Sequence, residues 1–272
     1  MIIISFVGFS NERKLIQKLL IHVKNTRITP MRLHRIYYPF TASLGDSVLI
    51  ENERAHYIRN VLRLKAGRKL RLFNQQQHEY LAEITTINKK NIELKLLEAI
   101  QTIAPSKLDI TLIQGLSKGE RMDYTVQKAT ELGVNKITPI ISDYCEVKLA
   151  DKRLQKKLNH WQNIALSACE QSFRADIPII TAPVSLDDYC QSSRCGILLE
   201  PEESRNIHAI SKHQWRQFHI VVGPEGGWSA VDLHKLKATG LKGIHFGQRI
   251  LRTETVAPAI LAAVHSLWGD FI

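Results

Sequence analysis

The spacing of apolar positions changes character near residue 107. Before it, short segments alternate apolar with polar residues or are rich in β-branched residues, which is typical of strands that bury one face. We predict strands at Ser47–Ile50, Lys69–Phe73, Tyr80–Ile87 and Ile92–Leu97. One helical segment, Ala55–Leu64, lies between the first two strands. The pattern predicts a small β-barrel over residues 31–100, and residues 101–107, which include Pro105, are expected to form a linker.

From Leu108 onward, predicted strands alternate with predicted helices. The strands are Leu108–Gln114, Lys136–Ile141, Gly196–Leu199, Phe218–Val222 and Gly243–Phe246. The helices are Arg121–Leu132, Leu149–Phe173, Ala230–Ala238 and Val256–Trp268. Such alternation predicts an α/β domain over residues 108–272, with a mostly parallel sheet covered by helices.

Residues 1–30 stand apart from both patterns. Asn11–Val23 could form one short amphipathic helix, and Met31 begins a segment that reads like a natural protein start. Our hypothesis is that residues 1–30 are an extension outside the main fold, or arise from an upstream start codon. Mass spectrometry of the natural protein distinguishes the two, because an intact N-terminus at Met1 rules out the second.

The chain is basic, and its charge is uneven. The formal net charge is +11. Residues 31–106 carry twelve Lys and Arg against seven Asp and Glu, whereas residues 107–272 carry twenty against eighteen. Excess lysine can simply aid solubility, but a basic first part favours a nucleic-acid partner.

Other features narrow the class of protein. The four cysteines form no CxxC pair, and neither they nor the histidines have metal-ligand spacing, so we expect free thiols and no metal. No apolar run approaches the roughly 20 residues that cross a bilayer, and the apolar start lacks a basic segment before it. We therefore expect a cytoplasmic protein with no membrane partner.

Two segments near the C-terminus carry the candidate chemistry. Gly223–Gly227 and Arg249–Thr255 each follow a predicted strand and lead into a predicted helix, where α/β proteins bind ligands. Each has a plainer interpretation, a Pro-Gly turn for the first and a surface ion pair with a helix cap for the second. Gly-x-Gly, P-loop, HExxH and Gly-x-Ser-x-Gly patterns are absent, which counts against NAD enzymes, ATPases, zinc hydrolases and α/β-hydrolases.

Taken in order, these segments resemble a known family. Gly-Pro-Glu-Gly-Gly at 223–227 and Arg-Ile-Leu-Arg-Thr-Glu-Thr at 249–255 are similar to the signature of the bacterial 16S rRNA uracil-N3 methyltransferases, of the SPOUT class. The resemblance covers residues 31–272. It includes the further segments Met31–Tyr37, Ser117–Met122, Gln127–Val134 and Ala168–Gln171.

The resemblance implies a fold, a reaction and partners. The expected fold is a PUA-like RNA-binding barrel followed by an α/β methyltransferase domain with a trefoil knot, assembled as a homodimer. The implied reaction is methylation of N3 of a uridine in 16S rRNA of the small ribosomal subunit, with S-adenosylmethionine as methyl donor. Two alternatives stay open: a SPOUT methyltransferase that acts on tRNA or on a ribose hydroxyl, and an RNA-binding protein without cofactor.

The resemblance also implies site residues. Arg252 and Glu254 are expected to face the uracil. Arg252 would stabilise the uracil anion. Glu254 would either act as the base or orient Arg252, and we favour the orienting role. Cofactor contacts are expected from Leu199, Glu200, Pro201, Gly223, Glu225, Gly226, Gly227, Phe246, Gly247, Ile250, Leu251 and Thr255. RNA phosphates are expected to contact Arg32, Arg35, Lys118, Arg121 and Arg174.

Overall fold

The computed structural model describes residues 33–145, 151–210 and 217–271. Residues 1–30, for which the sequence predicts an extension, lie outside the described part of the chain. The rest contains a five-stranded sheet followed by a seven-stranded sheet with its helices.

The first sheet is strongly curled, as the predicted barrel requires, and buries one face of every strand. Its strands are β1 (Arg35–Tyr37), β2 (Ser47–Glu51), β3 (Lys69–Phe73), β4 (Glu79–Ile87) and β5 (Asn91–Ile100), in the order β1-β3-β4-β5-β2. All pairs are antiparallel except β1 with β3. Alternate residues such as Leu70, Ile84 and Leu94 are fully buried, because successive side chains of a strand point to opposite faces.

The helix of this domain begins earlier than the sequence predicts. Helix α1 (Asn52–His56) follows β2 directly and continues into a π-helical turn at Tyr57–Val61, whereas the apolar spacing predicts a start at Ala55. Asn52 makes this sharp change of direction with a φ of +55°. Asparagine tolerates that conformation better than most residues, so strand and helix need no loop between them.

The second domain is an α/β fold with a fully parallel sheet, as predicted. Its strands are β6 (Asp109–Gly115), β7 (Lys136–Ile141), β8 (Ile179–Ile180), β9 (Val184–Ser185), β10 (Gly196–Leu199), β11 (Gln217–Val222) and β12 (Lys242–Ile244). Its helices are α2 (Glu120–Glu131), α3 (Asp151–Ser172), α4 (Leu186–Tyr189), α5 (Ala230–Ala238) and α6 (Thr253–Trp268), with a 3-10 turn at Ile207–Ala209. The strand order is β12-β10-β11-β6-β7-β8, and β9 also pairs with β7.

Each face of the parallel sheet is covered by its own apolar core. Ile110 and Leu112 of β6 pack with helices α2, α3 and α6, whereas Ile113 joins the core under α4 and α5. Burial on both faces explains why these strands read as nearly continuous apolar runs. The trefoil knot stays a prediction. No helix in the described ranges is long and apolar enough to cross a membrane.

Buried charged residues join the barrel to the α/β domain at the end of α3. The Arg35 guanidinium donates to Glu79 Oε2 within the barrel, and to the carbonyl oxygens of Cys169 and Arg174 at 2.7 and 2.8 Å. Glu170 accepts the Tyr37 N–H at 3.0 Å. These contacts fix the first strand of the barrel against α3 and the residues that follow it.

Candidate functional site

The candidate site lies where the order of strands reverses. From β6 the chain adds β7 and β8 on one side, whereas β10, β11 and β12 lie on the other. All these strands are parallel, so their carboxyl ends share one edge of the sheet. Ligands of open α/β sheets bind at such a reversal, and the residues that follow β6, β10, β11 and β12 meet there.

The loop after β11 fits against β6 because position 115 is a glycine. A Cβ on Gly115 would lie 2.2 Å from the backbone nitrogen of Pro224, so no other residue fits without moving the loop. The loop then turns at Gly227, whose φ is +73° and whose N–H donates to Pro224 O at 3.0 Å. These contacts place Gly223–Gly227, called the glycine loop below, directly beside the end of β6.

Helix α5 begins with a complete capping box. Ser229 Oγ accepts the Asp232 N–H at 3.0 Å, and Asp232 Oδ2 accepts the Ser229 N–H at 3.3 Å. Ser229 is thus the N-cap of α5, whose bounds match the predicted helix Ala230–Ala238. Ser229 Oγ also donates to Asp143 Oδ2 at 2.6 Å, which ties the residues after β7 to the glycine loop. Sequence reasoning missed Asp143, because its partner is 86 residues away.

The Arg-Thr-Glu-Thr segment forms the first turn of α6. The sequence predicts that this helix starts at Val256, but in the structure it starts at Thr253. Thr253 Oγ1 donates to Gly223 O at 2.6 Å and accepts from Gln114 Nε2 at 2.8 Å. The two C-terminal motifs are therefore hydrogen-bonded to each other at the strand edge.

One arginine lies between the acidic residues of the two motifs. Arg121 NH1 lies 2.5 Å from Glu225 Oε1, and Arg121 Nε lies 4.0 Å from Glu254 Oε1. Arg121 belongs to the first turn of α2, which follows β6. The guanidinium beside Glu254 is thus that of Arg121, whereas the sequence interpretation favoured Arg252. Arg252 is the N-cap of α6 and is exposed.

Comparison with known proteins agrees with this geometry. The family described as RNA methyltransferase domain matches residues 104–265, and the family described as RNA methyltransferase PUA domain matches residues 50–97. The ribosomal RNA small subunit methyltransferase E of Buchnera aphidicola from Schizaphis graminum is 34% identical over 242 residues, which cover 88% of this chain and 98% of the relative. The chain belongs to the ribosomal RNA small subunit methyltransferase E family.

Two solved structures of such methyltransferases superpose on the chain. A Legionella pneumophila protein described as a methyltransferase, in complex with S-adenosylmethionine, has a TM-score of 0.84 at 33% identity and covers 89% of this chain and 100% of its own. The small subunit methyltransferase E of Neisseria gonorrhoeae, bound to S-adenosylmethionine, has a TM-score of 0.80 with the same identity and coverage. The SPOUT fold and the PUA-like barrel expected from the sequence are confirmed.

In this methyltransferase, the strand-end residue Glu200 is held by a lysine of α5. Glu200 is buried, and its carboxylate lies 2.8 Å from Lys237 Nζ, which also contacts Glu203 at 2.7 Å. The bond to Lys237 lowers the pKa of the Glu203 carboxyl. The backbone N–H of Glu200 donates to Ile244 O at 2.9 Å. The Glu200 side chain therefore buttresses the loop after β10, a role that sequence reasoning did not find.

The remaining predicted cofactor residues lie along the same edge. Leu199 ends β10 and is buried, and Phe246 packs against the core beneath α6. Gly247 has a φ of +78°, and Ile250, at 89%, is the most exposed large apolar residue in the described part of the chain. Pro201, Gly226 and Thr255 are exposed, and Leu251 is half-buried. This part of the edge therefore presents glycine backbone together with the Ile250 side chain to solvent.

Two of the predicted phosphate contacts, Arg35 and Arg174, have side chains that are internal in the structure. The Arg35 side chain is only 1% exposed, and its guanidinium donates hydrogen bonds to Glu79 and to carbonyl oxygens at the end of α3. Arg174 donates to Thr130 O at 2.6 Å and to Val134 O at 3.0 Å, and pairs with Asp176. Both guanidinium groups are engaged inside the fold, which favours a structural role for them over a phosphate contact.

The other predicted phosphate contacts stay predictions. Arg32 lies outside the described residues. Lys118 and Arg121 are exposed beside the site, although Arg121 also pairs with Glu225.

All four cysteines are free thiols, and burial raises the pKa of Cys169 to about 11. The described residues contain no cluster that could hold a metal ion.

Proposed function

We propose that this chain transfers a methyl group from S-adenosylmethionine to N3 of a uridine in 16S rRNA of the small ribosomal subunit, and that it acts in the cytoplasm as a homodimer. One observation carries the proposal. The glycine loop and the Arg-Thr-Glu-Thr segment meet at one edge of the sheet, joined through Thr253 and Arg121, in a chain of this methyltransferase family.

The edge suits a cofactor that is held mainly by backbone groups. The glycine loop has no side chain at three of its five positions, and Gly226 and Gly227 are exposed. A Cβ on Gly226 would lie 2.9 Å from Tyr144 Cβ, so the loop is pressed on one side and open on the other. S-adenosylmethionine supplies an activated methyl group on a sulfonium. Leu199–Pro201, Gly223–Gly227 and Phe246–Leu251 would hold it, together with Thr255.

The acceptor chemistry asks for charge stabilisation and removal of a proton. Neutral uracil N3–H is a poor nucleophile, so the N3 proton must leave to a base as the N–C bond forms. Arg252 is exposed at the start of α6, where its guanidinium can stabilise negative charge on O2 or O4 of the ring. We assign Glu254 as proton acceptor, since Arg121 and not Arg252 is the guanidinium beside it.

RNA binding is assigned to the barrel and to the rim of the site. Lys118 and Arg121 are exposed at the start of α2, close to the glycine loop. Phosphate contacts of this kind weaken with salt, because each releases condensed counterions. A homodimer would allow the barrel of one protomer to hold RNA for the site of its partner.

The experiment is a methyl-transfer assay with a defined product. Purified protein is mixed with methyl-labelled S-adenosylmethionine and with 16S rRNA or small subunits from a strain that lacks the gene. We expect 3-methyluridine in the nucleoside digest, measured by mass spectrometry, and cofactor binding measured by calorimetry. A methyl group found on ribose or only on tRNA, or no cofactor binding, would overturn the proposal.

The same assay identifies the proton acceptor. Glu254→Gln keeps the size of the side chain but cannot accept a proton. We expect a lower transfer rate that rises with pH as more of the uracil ionises in solution. A Glu254→Gln protein with the wild-type rate at neutral pH would remove Glu254 from the mechanism.

A further inference from the structure

Gln114 is a polar residue in the fully buried end of β6, at the point where the two motifs meet. Its side chain is fully buried. The amide Nε2 donates to Thr253 Oγ1 at 2.8 Å, and Thr253 Oγ1 donates to Gly223 O at 2.6 Å. The other amide atom, Oε1, is buried without a hydrogen-bond partner among the described residues.

The direction of these bonds is fixed by chemistry. A carbonyl oxygen only accepts, so the Thr253 hydroxyl must spend its one proton on Gly223 O. The hydroxyl can then only accept from Gln114, which requires the amide nitrogen, not the oxygen, on that side. The chain of bonds therefore needs a side-chain N–H at position 114 and a hydroxyl at position 253.

This relay joins the two halves of the candidate site. Gln114 is in register with Val222, the last residue of β11, so it sits beside the first residue of the glycine loop. Thr253 lies between Arg252 and Glu254 in the first turn of α6. The relay thus sets how far the residues facing the base lie from the loop assigned to the methyl donor.

Folding stability does not account for the glutamine. A buried acceptor without a partner destabilises the folded state, and an apolar side chain of similar shape avoids that cost. Gln114 Nε2 also lies 3.3 Å from Gly115 O. This hydrogen bond is longer, and the packing of an apolar side chain could compensate for its loss. What an apolar side chain cannot supply is the donor to Thr253.

We propose that Gln114 and Thr253 are positioning residues, which align the start of α6 with the glycine loop and thereby the uracil ring with the methyl donor. This inference rests on the proposed function. Methyl transfer needs the donor, the methyl carbon and the attacking nitrogen in line, and a misplacement of about 1 Å can lower a rate about 100-fold.

The test removes the hydroxyl without changing the shape of the side chain. Thr253→Val is nearly isosteric, Thr253→Ser keeps the hydroxyl, and Thr130→Val is a matched control in which the lost hydroxyl bonds only Val126 O within α2. Single-turnover methyl transfer is measured at saturating cofactor and rRNA. We expect Thr253→Val to be at least about tenfold slower, Thr253→Ser to recover most of the rate, and Thr130→Val to match the wild type.

Gln114→Met separates alignment from stability. We expect its thermal midpoint to equal or exceed that of the wild type, while its transfer rate falls as in Thr253→Val. Wild-type rates for Thr253→Val or Gln114→Met, or an equal loss in Thr253→Ser, would overturn the relay.

Hydrogen exchange provides a readout that does not depend on methyl transfer. Without cofactor, we expect the amides of residues 225–228 to exchange faster in Thr253→Val than in Thr253→Ser or the wild type, because Gly223 O loses its donor. Unchanged exchange contradicts the relay. If the wild type methylates no uridine N3, the proposed function fails, and the exchange data alone then decide whether the relay orders the loop.

Discussion

Replacing Arg35 with methionine tests whether this arginine is a buried link or a phosphate contact. In the structure its guanidinium makes two bonds to Glu79 Oε2, at 2.9 and 3.0 Å, and one each to Cys169 O and Arg174 O. It also lies 3.7 Å from the centre of the Phe73 ring. Methionine keeps the apolar stem but removes the charge and every donor.

The size of the loss follows from what the substitution leaves behind. Removing one partner of a buried ion pair typically costs 3–5 kcal/mol, because the other charge stays buried. Here the Glu79 side chain is 1% exposed, but Arg71 Nε remains 2.5 Å from its second oxygen. We therefore expect the lower end, about 3 kcal/mol, which leaves a domain of ordinary stability folded but shifts its urea midpoint by about 1 M or more.

Urea unfolding and RNA binding together decide between the two roles. A phosphate contact contributes about 0.7–0.9 to the slope of log affinity against log salt, whereas a buried link contributes nothing. We expect Arg35→Met to lower the unfolding midpoint and leave the slope unchanged. Lys118→Ala, at an exposed position, is the control and should do the reverse. An Arg35→Met protein with the wild-type midpoint but a smaller salt slope would refute the buried role.

Three further predictions concern the site and the pH response. Arg252→Ala should bind S-adenosylmethionine as the wild type does but transfer its methyl group at least about 100-fold more slowly; calorimetry with the transfer assay measures both, and full activity would contradict the assignment. Gly115→Ala should weaken cofactor binding at least about tenfold, because its Cβ would meet Pro224 N at 2.2 Å, whereas Gly67→Ala, with open space and a φ of +80°, should cost only about 1 kcal/mol of stability. Burial lowers the pKa of His219 to about 4. The folded state then binds fewer protons than the unfolded state between about pH 4 and 6.5, so stability should fall by about 1 kcal/mol from pH 7 to pH 5 at this partly exposed ring. Urea unfolding of His219→Phe should lack that share of the loss.

Much of the fold could be predicted because its elements are long enough to show a period. Strands β6, β10 and β11 and helices α2 and α3 lie within a few residues of their predicted bounds. The elements that were missed, β1, β8, β9 and α4, have only two to four residues each. Such short segments carry no period. The three strands form because longer neighbours supply hydrogen-bond partners for them, and Ser185 caps α4.

The site was predictable in its residue types but not in its contacts. The glycines and the Arg-Thr-Glu-Thr segment stand out from their surroundings, whereas Lys237 and Asp143 look like ordinary surface residues until the sheet brings their partners close. Gln114 offered a signal, since a polar residue in the buried end of a strand requires a partner. For Arg35 the sequence was misleading. A basic residue in a basic segment suggests an exposed phosphate contact, and nothing in the sequence indicates that its guanidinium is buried.

The buried arginines and the candidate site are connected through a single helix. Helix α2 has twelve residues, which corresponds to about 18 Å. Arg121 in its first turn pairs with the glycine loop, and Thr130 O near its last turn accepts from Arg174. Arg174 in turn offers its own carbonyl to Arg35 of the barrel. Because each of these links is a hydrogen bond to backbone or an ion pair, the barrel is held at a fixed distance from the edge of the sheet. In the proposed function, an RNA held by the barrel would therefore present its bases at a fixed distance from the candidate site. We expect Arg35→Met, which breaks this connection, to raise the KM for rRNA more than it lowers kcat.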